Sequence, residues 1–320
     1  MTTDLLSDES DAVVDEGVES VIARWLHADA GGERTSAVFR ATFDQLYDGV
    51  HTGRFRWDQL YKTEKTHFGT LLEINLRREF ADIIGDGGVL DYVIADEEID
   101  CKYSQAEGGW MIPPEAFGKL LLVAHAVDAS GWWSLGVVRA SPEHLRTSSN
   151  RDQKTQLNPV GRKAIRWIAH RAAMAPNVLL SLPEGQIARI FAASSGQQRI
   201  NELCRQVINR RIGRNTIATV AQQSDYMKRV RYDGGARSLL GPEGYIVPGG
   251  DYDSHREVAR ALGAVVPQAG EVVSLRVVPD VSYAPLAVEL DGSWWRIARP
   301  DDVIVTPAPR LPSTRRGRSV

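Results

Sequence analysis

Apolar positions recur with helical spacing three times in the first eighty or so residues. Over residues 18–26 they fall at Val18, Val21, Ile22, Trp25 and Leu26, the rhythm of one buried helix face. A second stripe, Val38, Phe39, Phe43, Leu46 and Tyr47, predicts a helix over residues 34–47. Asp48-Gly49 closes it, because glycine takes the left-handed conformation that a helix end requires. A third stripe over residues 57–80 runs through Leu60, Glu64, His67, Phe68, Leu71, Leu72 and Asn75, and puts His67 on the apolar face. The rhythm then changes. After a Gly-rich connection (82–88), two β-prone runs, 89–94 and 99–103, flank an acidic turn, 95–98, and read as a hairpin. Residues 119–127 are continuously apolar, as in a strand buried on both faces, and Gly131 turns the chain into a partner strand over 132–139.

The second half reads as helices, then strands. Residues 187–191 and 200–212 are helical in pattern, the latter with Leu203, Val207 and Ile208 inward, Arg205, Arg210 and Arg211 outward, and Gly213 at its end. A short helix over 216–223 precedes Ser224-Asp225, an N-cap for a basic helix holding Tyr226, Met227, Lys228, Arg229, Val230 and Arg231. A turn at 241–244 leads to a strand at 245–247. Alternating segments at 271–278 and 287–305 follow, with Trp294 and Trp295 packing a small sheet. Helix, short helix, basic helix and turn-linked strands is the order of a winged helix-turn-helix. Lys228, Arg229, Arg231 and Arg237 are its candidate phosphate contacts. The whole is a mixed α/β (α+β) chain.

Chemistry concentrates in the hairpin. Side chains alternate along a strand, so Asp100 and Lys102 share one face and Cys101 takes the other. Asp91, on the neighbouring strand, brings a second carboxylate, and Glu73 on the preceding helix offers a third. Paired carboxylates bind Mg²⁺ through oxygen. A lysine beside them orients an attacking water or offsets charge on phosphorus. An isolated Asp-x-Lys is also what an exposed strand uses for a charge pair. The apolar neighbours Ile99, Cys101 and Tyr103 argue instead for a half-buried strand whose charged face has a task.

Composition bounds the rest. At 320 residues the chain predicts two domains. A net charge of −3 and a sequence pI near 6.2 do not point to nucleic acid by themselves. They average an acidic N-terminus with an arginine-rich middle, which leaves room for a basic groove. Residues 141–162 are polar and loop-like, with Arg151, Asp152 and Lys154 suited to bases and phosphates or simply to solvent. Cys101 and Cys204 sit in apolar patterns and read as buried thiols in a reducing compartment. No basic-then-apolar leader and no membrane-length apolar run occurs, so a soluble intracellular protein with no membrane partner is expected. The tail 310–320, with Arg315, Arg316 and Arg318, is expected to be disordered.

Several strings together resemble the NaeI restriction endonuclease family. They are Phe43-Asp44-Gln45-Leu46-Tyr47-Asp48-Gly49, Lys62-Thr63-Glu64-Lys65-Thr66-His67, Glu73-Ile74-Asn75-Leu76, Asp100-Cys101-Lys102, Ile217-Ala218-Thr219-Val220-Ala221-Gln222-Gln223, Met227-Lys228-Arg229-Val230-Arg231 and Gly234-Gly235-Ala236-Arg237-Ser238. The resemblance implies an N-terminal endonuclease domain of the PD-(D/E)xK type (18–165), a linker (166–176) and a C-terminal winged-helix domain like that of the catabolite activator (177–309), between an acidic N-terminus (1–17) and the basic tail. It implies a Mg²⁺-dependent type II enzyme of bacterial cytoplasm, homodimeric, with Glu73, Asp91, Asp100 and Lys102 at the catalytic positions. Asp91, Asp100, Glu73 and the Cys101 carbonyl oxygen would hold the metal. The resemblance further implies that two copies of double-stranded DNA bind, one cut and one acting as effector, at a palindrome for which the family suggests GCCGGC. Leu90 stands where the general nuclease pattern has proline. Leu46-Tyr47-Asp48-Gly49 also resembles the Lys-x-Asp-Gly motif of DNA ligases, but leucine offers no amine for nucleotidyl transfer. The rival reading is a non-catalytic, site-specific DNA-binding regulator.

Overall fold

The structure, a computed structural model, describes residues 14–147, 151–280 and 285–312. Most of the acidic N-terminal stretch, part of the polar loop and most of the basic tail, including Arg315, Arg316 and Arg318, lie outside the described residues. The chain divides into two compact units: Met1–Phe43 with Lys62–Ala175, and Asp44–Tyr61 with Pro176–Val320.

Helix α1 (Glu16–Ala28) starts at Asp15, whose carboxylate accepts the Val18 N–H at 3.1 Å, and it buries Val18, Val21, Ile22 and Trp25. Helix α2 (Glu33–Tyr47) follows the second stripe. Its end differs in detail from the expectation. Asp48, not Gly49, adopts the left-handed conformation (φ 48°), and Gly49 opens a single further turn, α3 (Gly49–Thr52). The third stripe splits into a 3-10 turn (Trp57–Gln59) and α4 (Lys62–Glu79). Phe68, Leu72 and Leu76, four residues apart, are its inward line. His67 lies on the exposed side, which corrects its placement on the apolar face.

Strands β1 (Gly85–Asp86), β2 (Tyr92–Ile94), β3 (Glu97–Tyr103), β4 (Leu120–Val127) and β5 (Trp132–Arg139), then helix α5 (Pro159–Lys163) and strand β6 (Arg166–Ala173), complete the first unit. The six strands form one sheet in sequence order. All neighbours are antiparallel except β3 and β4, which run parallel. The β2–β3 turn is tighter than expected: Ala95 (φ 51°) and Asp96 (φ 65°) supply the two left-handed residues of a two-residue hairpin loop. Strand β4 is buried on both faces, as its apolar run requires. Residues 166–173, expected as linker, are an edge strand paired to β5. Their mixed, half-exposed side chains hid this from a pattern reading.

In the second unit, α6 (Glu184–Ala192), α7 (Gly196–Gln206), β7 (Arg211–Gly213) and α8 (Arg214–Ala221) come first. Phe55 stacks on Phe191 at 5.8 Å and anchors segment 44–61 in this core. Helix α3 lies against α8, a closeness that needs Gly49: a Cβ there would stand 2.0 Å from Thr219 Oγ1. The helix expected over 200–212 stops at Gln206, and Gly213 opens α8 instead of closing a helix. Ile208, expected to be buried, is 37% exposed. The basic stretch is a short 3-10 helix, Tyr226–Val230, not an α-helix. Asp225 precedes it without capping it, because its carboxylate accepts from Arg229 at 3.1 Å. Then come α9 (Ala236–Leu239), β8 (Tyr245–Ile246), α10 (Asp253–Ala261), β9 (Glu271–Val273), β10 (Leu275–Pro279), β11 (Ala287–Leu290) and β12 (Ser293–Ile297). They give a four-stranded sheet, β11-β12-β10-β8, and a β7-β9 pair. Trp295 packs beneath the sheet while Trp294 faces out, since consecutive strand residues take opposite sides. Leu311, assigned to the tail, is buried, and its N–H bonds the Tyr232 hydroxyl. Among the described residues no helix is long and apolar enough to cross a membrane.

Candidate active site

Register decides which face carries the hairpin's chemistry. Ile99, Cys101 and Tyr103 align with Leu120, Leu122 and Ala124 of β4, and Tyr103 meets Phe68 of α4 at 4.3 Å between ring centroids. Asp100 and Lys102 align with Leu121 and Val123, on the other face, where Trp110, Ile112 and Leu157 form a second core. Asp100 is 4% exposed, so a carboxylate is held inside the protein at that position. A buried charge is tolerated only when it is paired. Lys102 Nζ donates to Asp100 Oδ1 at 2.7 Å and to the Cys101 carbonyl at 3.1 Å, and lies 3.7 Å from Asp91 Oδ2. The same Asp91 Oδ2 accepts the Cys101 N–H at 2.8 Å. One ammonium therefore sits among three oxygens: two carboxylates and a backbone carbonyl.

Glu73 joins from α4. Burial is the main cause that raises its pKa, followed by the Asp91 charge; Lys102 and Arg77 act against it. Burial likewise raises Asp100, partly offset by the bond to Lys102, with Asp91 and Glu115 adding repulsion. Burial works against the Lys102 ammonium, but the Asp100 bond and the charges of Asp100 and Asp91 outweigh it and hold its pKa above the ordinary lysine value. Burial pushes the Cys101 thiol well up, so the side chain stays protonated and its backbone atoms are what it offers to this site.

Two residues without a part in the sequence reading hold this arrangement. Arg77, one turn beyond Glu73, donates to the Asp91 carbonyl and to Asp86 (2.8 Å), and lies over the Tyr92 ring. The Tyr92 hydroxyl donates to the Glu73 carbonyl at 2.7 Å. Strand β1, inside the connection expected to be irregular, pairs with β2 and so carries Asp86 to Arg77. The helical i, i+4 spacing of Glu73 and Arg77 was the available signal.

Among the described residues, no three His, Cys, Asp or Glu side chains converge tightly enough to hold a metal ion by themselves. The donor set nevertheless fits a hard divalent cation. It is all oxygen, and Asp100 Oδ2 is buried with no hydrogen-bond partner among the described residues, an acceptor in need of a positive partner.

An Asp-x-Lys strand alone also serves as a charge pair and does not by itself name a family. The family model described as "Restriction endonuclease NaeI" matches residues 19–306. The chain is also similar to the "Type II restriction enzyme NaeI" of Lentzea aerocolonigenes, 48% identical over 307 residues, spanning 93% of this chain and 95% of that protein. The chain belongs to the NaeI restriction endonuclease family. The match runs through both compact units, so this NaeI-family protein spans nearly the whole length of its relative.

The remaining candidates of this NaeI-family chain fare unevenly. Arg151, Asp152 and Lys154 are exposed on their loop beside residues 148–150. In the second unit a groove of about 1130 Å³ gathers Arg231 and Arg237 with Arg214, Asp251, Tyr252 and Glu271. Lys228 and Arg229 are not among its lining residues and pair with Asp225 at 3.6 and 3.1 Å. Arg237 lies over the Tyr232 and Tyr252 rings and donates to the Val247 carbonyl at 2.8 Å. Burial lowers its pKa, and its neighbours are aromatic and backbone groups instead of a carboxylate. Arg214 and Tyr252 gave no sequence signal, since each is an ordinary surface residue until the fold brings it to the groove.

Proposed function

We propose that the protein is a Mg²⁺-dependent type II restriction endonuclease that hydrolyses phosphodiester bonds of double-stranded DNA at a palindromic site. The observation that carries this reading is the Lys102 ammonium set among Asp100, the Cys101 carbonyl and Asp91 in a chain of the NaeI family. In this reading the first unit is a PD-(D/E)xK endonuclease domain and the second a winged-helix domain. The copies pair as a homodimer, so that two-fold symmetry in the protein mirrors the palindrome. GCCGGC is the site that the resemblance suggests.

Asp91 and Asp100, with the Cys101 carbonyl and Glu73, would hold the cation. Bound there, Mg²⁺ supplies positive charge to the phosphate oxygens and lowers the pKa of a water. Lys102 orients the attacking water and offsets charge on the phosphate as the new P–O bond forms and the bond to the departing sugar oxygen breaks. Arg77 and Tyr92 fix the backbones of Asp91 and Glu73, so the charged groups meet the phosphate already aligned. The second unit holds another duplex on Arg231, Arg237, Lys228 and Arg229, and binding there raises cleavage in the first, a coupling between two sites.

Incubating the full chain with a sequenced plasmid, with Mg²⁺ and with EDTA, tests this reading. Discrete fragments only with Mg²⁺ support it, and mapping their ends gives the site. An intact plasmid with a specific gel shift in both conditions would replace it with a DNA-binding regulator.

A further inference from the structure

Loop 267–270 of the second unit, with Glu271 that follows it, lies between two concavities. On one side is the groove with Arg214, Arg231 and Arg237. On the other is a cleft of about 420 Å³ lined by Arg211, Arg256 and Arg260 and by turn 266–269. They share a wall. Glu271 lines the groove and stands 3.5 Å from Arg211 of the cleft. Asp251 lines the groove and accepts the Gly270 N–H at 2.8 Å, next to Ala269 of the cleft.

The cleft's charge is only partly answered. Arg256 and Arg260 are one turn apart on α10 and present both guanidiniums on one side. Arg256 meets Asp253 at 3.4 Å and Arg211 meets Glu271 at 3.5 Å. Both are long beside the roughly 2.7–2.9 Å of a strong charge-assisted bond. Arg260 is exposed and has no ion pair among the described residues. Three guanidiniums against two carboxylates, each met only at 3.4–3.5 Å, in a concave site match a phosphodiester better than a neutral ligand. Continuity with the groove across a single loop favours the backbone of one long polyanion over a separate small anion.

We propose that the cleft of Arg211, Arg256 and Arg260 takes backbone phosphates of the same duplex that occupies the neighbouring groove. The proposal rests on the reading above that the second unit binds DNA, and it extends that duplex's path beyond the residues so far assigned to it. Because phosphate contacts are independent of sequence, a fluorescein-labelled random-sequence duplex is the probe. Its affinity for the full chain is measured by anisotropy in EDTA over a series of NaCl concentrations. Each lost phosphate contact lowers the slope of log K against log salt by about 0.9. Arg256→Gln with Arg260→Gln should flatten it by about 1.8, Arg256→Lys with Arg260→Lys should keep it, and Arg231→Gln in the groove should flatten it by about 0.9. A wild-type slope for the Gln pair beside a flattened slope for Arg231→Gln would overturn the cleft while leaving the groove reading intact. Equal loss in the Gln and Lys pairs would mark the arginines as structural and also overturn it. Wild-type slopes in every variant would remove both the cleft and the DNA-binding reading of this unit.

Discussion

Lys102→Met separates the lysine's two relations to the acidic cluster. Methionine keeps an apolar stem of similar length and removes the charge. In the wild type the ammonium bonds Asp100 Oδ1 at 2.7 Å and the Cys101 carbonyl at 3.1 Å, and lies 3.7 Å from Asp91 Oδ2. These are the oxygens assigned to the cation, so an incoming divalent ion must take them from Lys102. A hydrogen bond to a charged partner contributes about 1.5–3 kcal/mol. Removing the competitor should therefore tighten divalent binding about ten- to a hundred-fold, since 1.4 kcal/mol is roughly tenfold. Calcium titrated calorimetrically into the full chain without DNA reads this directly. Working near pH 8 counters the upward push of burial on Asp100, which in the variant lacks the Lys102 bond that offsets it. Plasmid cutting with Mg²⁺ should fall by about 100-fold or more in the same variant, the scale of losing a positioned proton-handling group. Unchanged or weaker calcium binding in a variant with wild-type thermal unfolding would refute the competition, and full cutting would refute the lysine's catalytic role.

Three further outcomes follow from other parts of the structure. Tyr92→Phe deletes the 2.7 Å bond to the Glu73 carbonyl and, at about 1 kcal/mol, should slow cutting about five-fold at low Mg²⁺ with partial recovery at high Mg²⁺; wild-type rates throughout would exclude a positioning role. Burial lowers the His255 pKa from 6.5 to about 4, and its Nδ1 accepts the Gly249 N–H at 3.0 Å, so the neutral ring is the folded form. A depressed folded pKa contributes stability that is full above the unfolded value and is lost as pH falls toward the folded one, here about 3 kcal/mol between roughly pH 6.5 and 4, absent from His255→Gln in parallel urea unfolding. Gly49→Ala, which at an ordinary helical site would stabilise by about 1 kcal/mol, should instead destabilise by about 1–3 kcal/mol because its Cβ meets Thr219; a raised melting temperature would show that α3 and α8 separate easily.

Much of the site was legible because its signals are local. Alternation along 99–103 put Asp100 and Lys102 on one face, and the continuous apolar run of β4 explained why that strand lies deep in a sheet. What pattern could not supply was which distant segments meet. Nothing in 44–61 announces that it belongs with the second unit; a single aromatic, Phe55, and a missing Cβ at Gly49 settle it through contacts formed more than a hundred residues away. Strand β6 reads as linker because its side chains are exposed or half-buried without alternation, and its place at the sheet edge comes only from pairing with β5. Single residues failed for the same reason: His67 and Trp294 fall outside because the neighbouring residues, Phe68 and Trp295, take the buried side.

The hidden residues share a physical type. Arg77 and Tyr92 act through backbone atoms, bonding carbonyl oxygens of Asp91 and Glu73, and a sequence does not display which carbonyl needs a donor. Their role also explains how the acidic cluster is held beside a tightly packed connection. Gly87 approaches the Leu90 carbonyl so closely that a Cβ would stand 1.9 Å from it, leaving the chain before Asp91 little room to adjust. Arg77 ties both Asp86 and Asp91, on either side of Gly87, to the helix that carries Glu73. That tie keeps Asp91 in register with Asp100 although the segment before it lies at the surface.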